Sequence, residues 1–153
     1  MIEPDYLAEL ERIRTAYICL APKQRLSIIT KRLQNPARGP NLLVTHVSAV
    51  EALARSLAMN AKASTHAKLI SIYPKYRDRE AKSLVIEYLA SQGHSKPNDF
   101  FGSDIWPKFG YAVSYRNMLV HECTYLDHDK YPYLIEACQV VQEQLCILAR
   151  LPK

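Results

Sequence analysis

The chain has 153 residues, 48% of them apolar, with 20 Lys and Arg against 15 Asp and Glu, a formal charge of +5 and a pI near 9.0. That length suits one domain able to bury a core without staples, and the basic balance is compatible with an RNA partner. The start, Met1-Ile2-Glu3-Pro4-Asp5, has no basic segment leading into an apolar run, and no stretch approaches about 18 uninterrupted apolar residues, so neither secretion nor membrane spanning is expected.

The predicted elements are helices throughout. Asp5 caps a first helix reaching about Leu20, with Leu7, Leu10, Ile13, Arg14 and Tyr17 at three- and four-residue spacing. Pro22 opens a second, to about Leu33, and the stretch Asn35-Pro36-Ala37-Arg38-Gly39-Pro40 stops it. Lys23, Arg25, Lys31, Arg32 and Arg38 make a basic cluster here, and Lys75, Arg77 and Arg79 make another. Solvated helix faces account for both clusters at least as well as nucleic-acid binding does.

The third helix, about Asn41 to Lys62, carries the stripe Leu43, Val47, Val50, Ala54 and Leu57, with Glu51 and Arg55 as an i,i+4 pair on its flank. Burial of each such leucine or valine stabilises by about 1.5 to 3 kcal/mol, so this face belongs in the core. His46 reads as structural. A short helix from Thr65 to Ile72 follows, then a longer one from Asp78 to Ser91 with Ala81, Leu84, Val85, Tyr88 and Leu89 inward. Gly93 is its natural stop, and His94 to Gly102 reads as a loop.

Ser103 or Asp104 caps the next helix, in which Ile105, Phe109, Ala112, Arg116, Leu119 and Cys123 recur at helical spacing. Arg116 therefore interrupts an apolar stripe. A charge placed there needs a partner, because an unpaired buried charge costs several kcal/mol, and Glu51 and Glu122 are the candidates. The last helix, about Pro132 to Arg150, sets Leu134, Cys138, Val141, Leu145 and Leu148 in a heptad seam suited to an intramolecular contact. Cysteines 19, 123, 138 and 146 form no C-x-x-C pair and read as reduced, mostly buried thiols of a cytoplasmic protein. Asp127, His128 and Asp129 read as a solvated helix entrance, since adjacent loop residues rarely aim at one ion, and no metal or cofactor is expected. No glycine-rich phosphate loop and no nucleophile turn occurs.

The chemistry concentrates in Tyr115-Arg116-Asn117-Met118-Leu119-Val120-His121-Glu122. At roughly 100° per residue, Arg116 and His121 point about 140° apart, whereas Asn117 and His121 share a face. Asn117 is thus placed to hydrogen-bond one ring nitrogen of His121 and set its tautomer. Aiming Arg116 and His121 at one substrate requires either that the helix end near His121 or that a second protomer complete the site across a two-fold axis, and the second is preferred.

Arg116-Asn117 followed by three residues and His121 resembles the Arg-(four to six residues)-His signature of HEPN domains, in the form with a polar residue after the arginine. The surrounding chain also resembles that family's all-helical domain, with an early helix carrying Glu51 and a closing helix from about Tyr131. The resemblance spans roughly the whole chain, although one motif alone is specific. It implies a single compact all-α bundle of about five to six helices. Some toxin members carry a tyrosine two residues beyond the histidine. Cys123 stands there in this chain, and Tyr125, four beyond, takes no role from the resemblance.

Two function classes follow. The resemblance implies a metal-independent endoribonuclease, with Arg116 and His121 catalytic and Asn117 and Glu51 supporting, acting as a homodimer on RNA to leave 2',3'-cyclic phosphate ends. Its settings would be a toxin with a cognate antitoxin, a defence effector or a processing factor. The other class is a non-catalytic module that binds nucleotides or proteins, or dimerises beside a separate nucleotidyltransferase.

Overall fold

The computed structural model describes residues 5–34, 40–121 and 131–152. They form eight α-helices and no strand: α1 (Tyr6–Ile18), α2 (Pro22–Gln34), α3 (Pro40–Lys62), α4 (His66–Ile72), α5 (Ala81–Ser91), α6 (Pro97–Phe101), α7 (Ile105–His121) and α8 (Tyr131–Leu148), with one 3-10 turn, Tyr73–Lys75, after α4. The all-α expectation holds. The helix number exceeds the expected five to six because α4 and α6 are short helices that add to the longer ones.

The bundle is built on α3, which packs against α2, α5, α7 and α8. Beyond the expected stripe of Leu43, Val47, Val50, Ala54 and Leu57, Leu53, Ala58 and Met59 are buried as well. A helix apolar over most of its circumference must be enclosed by neighbours on several sides. It is also the one described helix long and apolar enough to cross a membrane, but more than half of that apolar window, 56%, is buried inside the protein. The seam of α8 packs inward as expected, with Leu134, Cys138, Val141 and Leu145 buried against α3 and α7.

Local chemistry sets the helix ends. Asp5 accepts a hydrogen bond from the Ala8 N–H at 3.1 Å, the expected cap of α1. Gly93 takes φ +88 after α5, a left-handed conformation that suits glycine, and the His94 N–H donates back to the Leu89 carbonyl at 2.8 Å. Thr65 caps α4 with extended backbone, its hydroxyl accepting from the Lys68 N–H at 3.3 Å. Thr65→Ala should therefore cost about 1 kcal/mol, lowering Tm by roughly 2–4 °C in a thermal melt, with helical content otherwise preserved.

Two expectations are corrected, and α1 proves less enclosed than the other long helices. Residues Pro97–Phe101 form helix α6 where a loop was expected, held by Phe101, which is buried and stacks on Trp106 at 5.5 Å. The fifth helix starts at Ala81, not Asp78, because Arg55 of α3 draws the backbone carbonyls of Tyr76, Arg77 and Arg79 onto itself. On α1, Ile13 and Tyr17 are exposed, since this helix packs chiefly on α4. Of the cysteines, Cys138 and Cys146 are buried and Cys19 is half-buried. Cys123, Tyr125, Arg38 and the Asp127-His128-Asp129 run lie outside the described residues, as do the side chains of Leu7, Leu10, Lys31 and Arg32.

Candidate functional site

Arg116 projects from the inward side of α7 and meets Glu51 of α3. Its Nη2 donates to Glu51 Oε2 at 2.8 Å, and the pair is mostly enclosed, at 15% and 20% side-chain exposure. The apolar stripe that Arg116 interrupts is what delivers it here: Phe109 and Ala112 on the same face are fully buried, so the helix cannot turn away. The other Glu51 oxygen, Oε1, accepts from Arg55 Nη2 at 3.0 Å. One carboxylate thus bridges two guanidiniums.

Arg55 is itself a structural clamp. Its Nε donates to the Tyr76 carbonyl at 3.1 Å and its Nη2 to the Arg79 carbonyl at 3.1 Å, pinning the segment before α5 onto α3. Behind Arg116 lies Cys138 of α8. Burial pushes this thiol up to about 12, against the opposing positive charge of Arg116, so it is a protonated wall of the site rather than a nucleophile.

The expected bond between Asn117 and His121 is not formed. Asn117 Oδ1 instead accepts from Arg116 Nε at 2.9 Å. A guanidinium donor makes a charge-assisted bond, about twice as strong as a neutral one, so the amide is turned with its oxygen toward Arg116. The consequence is a different role for the amide, which orients the arginine. With Nε held by Asn117 and Nη2 by Glu51, Arg116 Nη1 has no hydrogen-bond partner among the described residues.

His121 is exposed at the last described position of α7, whose helix runs through it. Helical geometry places it about 140° round from Arg116, so the structure joins Arg116, Asn117 and Glu51 in one cluster and sets His121 apart from it. Tyr111 and Met118 are also exposed on α7, at 62% and 49%, and lie on nearly one face. Among the described residues no three His, Cys, Asp or Glu side chains gather as metal ligands.

The two basic clusters take different directions. Arg79 turns into its own helix pair, donating to Glu87 Oε1 at 2.9 Å and to the Ser83 hydroxyl at 2.7 Å. Arg25, by contrast, is half-buried beside Arg55. Sequence reasoning missed both Arg25 and Arg55 as members of the site region. The signal available for Arg55 was its i,i+4 spacing from Glu51, which fixed a pair but not its continuation to Arg116. His46 is buried, with Nδ1 unpartnered, and burial holds its pKa below the ordinary imidazole value, as befits a neutral core histidine.

Comparison with family models, curated proteins and solved structures finds no match to this chain.

Proposed function

We propose that the chain is a metal-independent endoribonuclease of the HEPN type, cleaving RNA at a composite site formed by two copies. The observation that carries the reading is the state of Arg116. It is a core-stripe arginine oriented by Glu51 and Asn117, with one amino group that has no partner among the described residues, on the same helix as an exposed histidine. Such a preorganised guanidinium suits the non-bridging oxygens of a phosphodiester.

In the reaction, the 2'-hydroxyl oxygen attacks phosphorus and the 5'-oxygen leaves, giving a 2',3'-cyclic phosphate and a 5'-hydroxyl. His121 of one protomer accepts the 2'-hydroxyl proton, and His121 of the other donates a proton to the departing oxygen. Arg116 stabilises the negative charge of the phosphorane. The separation of Arg116 and His121 around α7 favours completion of the site by a second copy, for which the exposed Tyr111–Met118 face of that helix offers an apolar surface for a two-fold contact. A toxin with a cognate antitoxin, a defence effector and a processing enzyme are the physiological settings this chemistry serves.

A second reading draws on the same cluster. Because Arg116 finds its carboxylate within the chain, it also suits a structural strut, and the protein would then be a nucleotide- or protein-binding dimerisation module acting with a separate nucleotidyltransferase. Degradation of RNA by the purified protein in excess EDTA separates the two. Persistent cleavage with cyclic phosphate ends is the expected result; nucleotide binding without turnover would support the module.

A further inference from the structure

A cleft of about 300 Å³ opens between α1, α2 and α3, lined by Arg14, Arg25 and Arg55 and, among the described residues, by no acidic side chain. The Arg25 guanidinium carbon sits over the Tyr17 ring, 4.7 Å from its centroid, within cation–π range. No carboxylate pairs with it among the described residues. Burial, and after it the charge of Arg55, pulls its pKa down, while the phenols of Tyr17 and Tyr73 act in the opposite direction. An arginine does not shed its proton at neutral pH, so a half-desolvated guanidinium with no carboxylate among the described residues calls for an anion from outside the chain.

The shape narrows what that anion belongs to. The cation–π contact with Tyr17 uses no N–H group, and among the described residues no hydrogen bond takes one up, so the Arg25 N–H groups can meet a phosphate bidentately. Tyr73 lines the same cleft. A second groove of about 360 Å³ continues past Tyr17, Arg25 and Ala52 over the apolar side chains of Ile28 and Ile29. Aromatic rings and an arginine plane beside a phosphate-sized positive site are what single-stranded nucleic acid uses, since exposed bases stack regardless of sequence. Arg55, which lines the cleft, is linked to Arg116 through the Glu51 carboxylate that both hold.

We propose that this cleft is a subsite for single-stranded RNA, in which Arg25 and Arg14 hold a backbone phosphate and Tyr17 and Tyr73 flank an unpaired base. Its part in cleavage rests on the ribonuclease reading; its binding does not. The subsite fixes the strand on the α1–α2 side of Arg116, and it selects single strands because a duplex cannot place a base between α1 and α3.

The test is anisotropy of a fluorescein-labelled, 2'-O-methyl single-stranded RNA about ten nucleotides long, which transesterification cannot cut, titrated with the full chain at several salt concentrations. Arg25→Gln should weaken binding about tenfold or more and lower the salt slope by about one. Tyr17→Leu, at an exposed position, should weaken it about fivefold with the slope unchanged. Unlabelled duplex should compete poorly. Failure of the wild type to bind, or wild-type binding by both variants at unchanged Tm, overturns the subsite. Cleavage of the unmodified strand, run in parallel, separates the two ideas: binding lost in Arg25→Gln with no wild-type cleavage keeps the subsite and removes the ribonuclease, whereas unchanged cleavage and KM in Arg25→Gln do the reverse.

Discussion

Replacing His121 by alanine is expected to cut RNA cleavage by about 10² to 10⁴-fold while leaving Tm within roughly 1–2 °C of wild type. The rate loss follows from removing the imidazole assigned the proton transfers in the proposed reaction; the small effect on melting follows from its exposed position, where it makes no hydrogen bond among the described residues. In a composite site both copies of the histidine act, so mixing wild type with His121→Ala should lower activity more steeply than the wild-type fraction falls. A proportional fall would place each site within one protomer.

Glu51→Gln has the largest expected effect on stability. The substitution removes the shared countercharge of Arg55 and Arg116 and leaves two guanidiniums facing each other at positions 18% and 15% exposed. Breaking a fully buried pair costs about 3–5 kcal/mol; with this much exposure the lower end, about 3 kcal/mol, is expected, a fall in Tm of roughly 6–12 °C. Arg116→Ala should be milder, about 1–2 kcal/mol, because Glu51 keeps Arg55. Thermal melts of the two variants check this ordering. If Arg116→Ala proved the more damaging, Arg116 would be chiefly a strut, which is the module reading.

Much of the scaffold was legible because it is periodic. The α3 stripe, the α8 seam and the Gly93 stop each rest on spacing or on one residue's backbone freedom, and each occurs as expected. The helix α6 was not legible, since Pro97–Phe101 is too short to display a period and its adjacent phenylalanines suggest none. On α1 the periodicity of Ile13 and Tyr17 was present, but period alone does not say that a partner helix covers them.

At the site, the charge on the apolar stripe pointed to Glu51 or Glu122, and the contact with Glu51 is there, Glu122 lying outside the described residues. The Asn117 reading failed because i,i+4 geometry allows a bond that a stronger donor took: Arg116 Nε reached the amide first. The arginine cleft was beyond sequence reasoning. Arg14, Arg25 and Arg55 come from three helices, and only the packing of those helices brings them to one opening.

The most direct measurement is release of fragments ending in 2',3'-cyclic phosphate from unstructured RNA in excess EDTA, by wild type, Arg116→Ala and His121→Ala brought to the same oligomeric state and verified as folded. Cyclic-phosphate products from the wild type and their loss in both variants is the predicted result. Equal cleavage by all three proteins, or none by the wild type on any single-stranded RNA, would contradict a ribonuclease centred on Arg116 and His121.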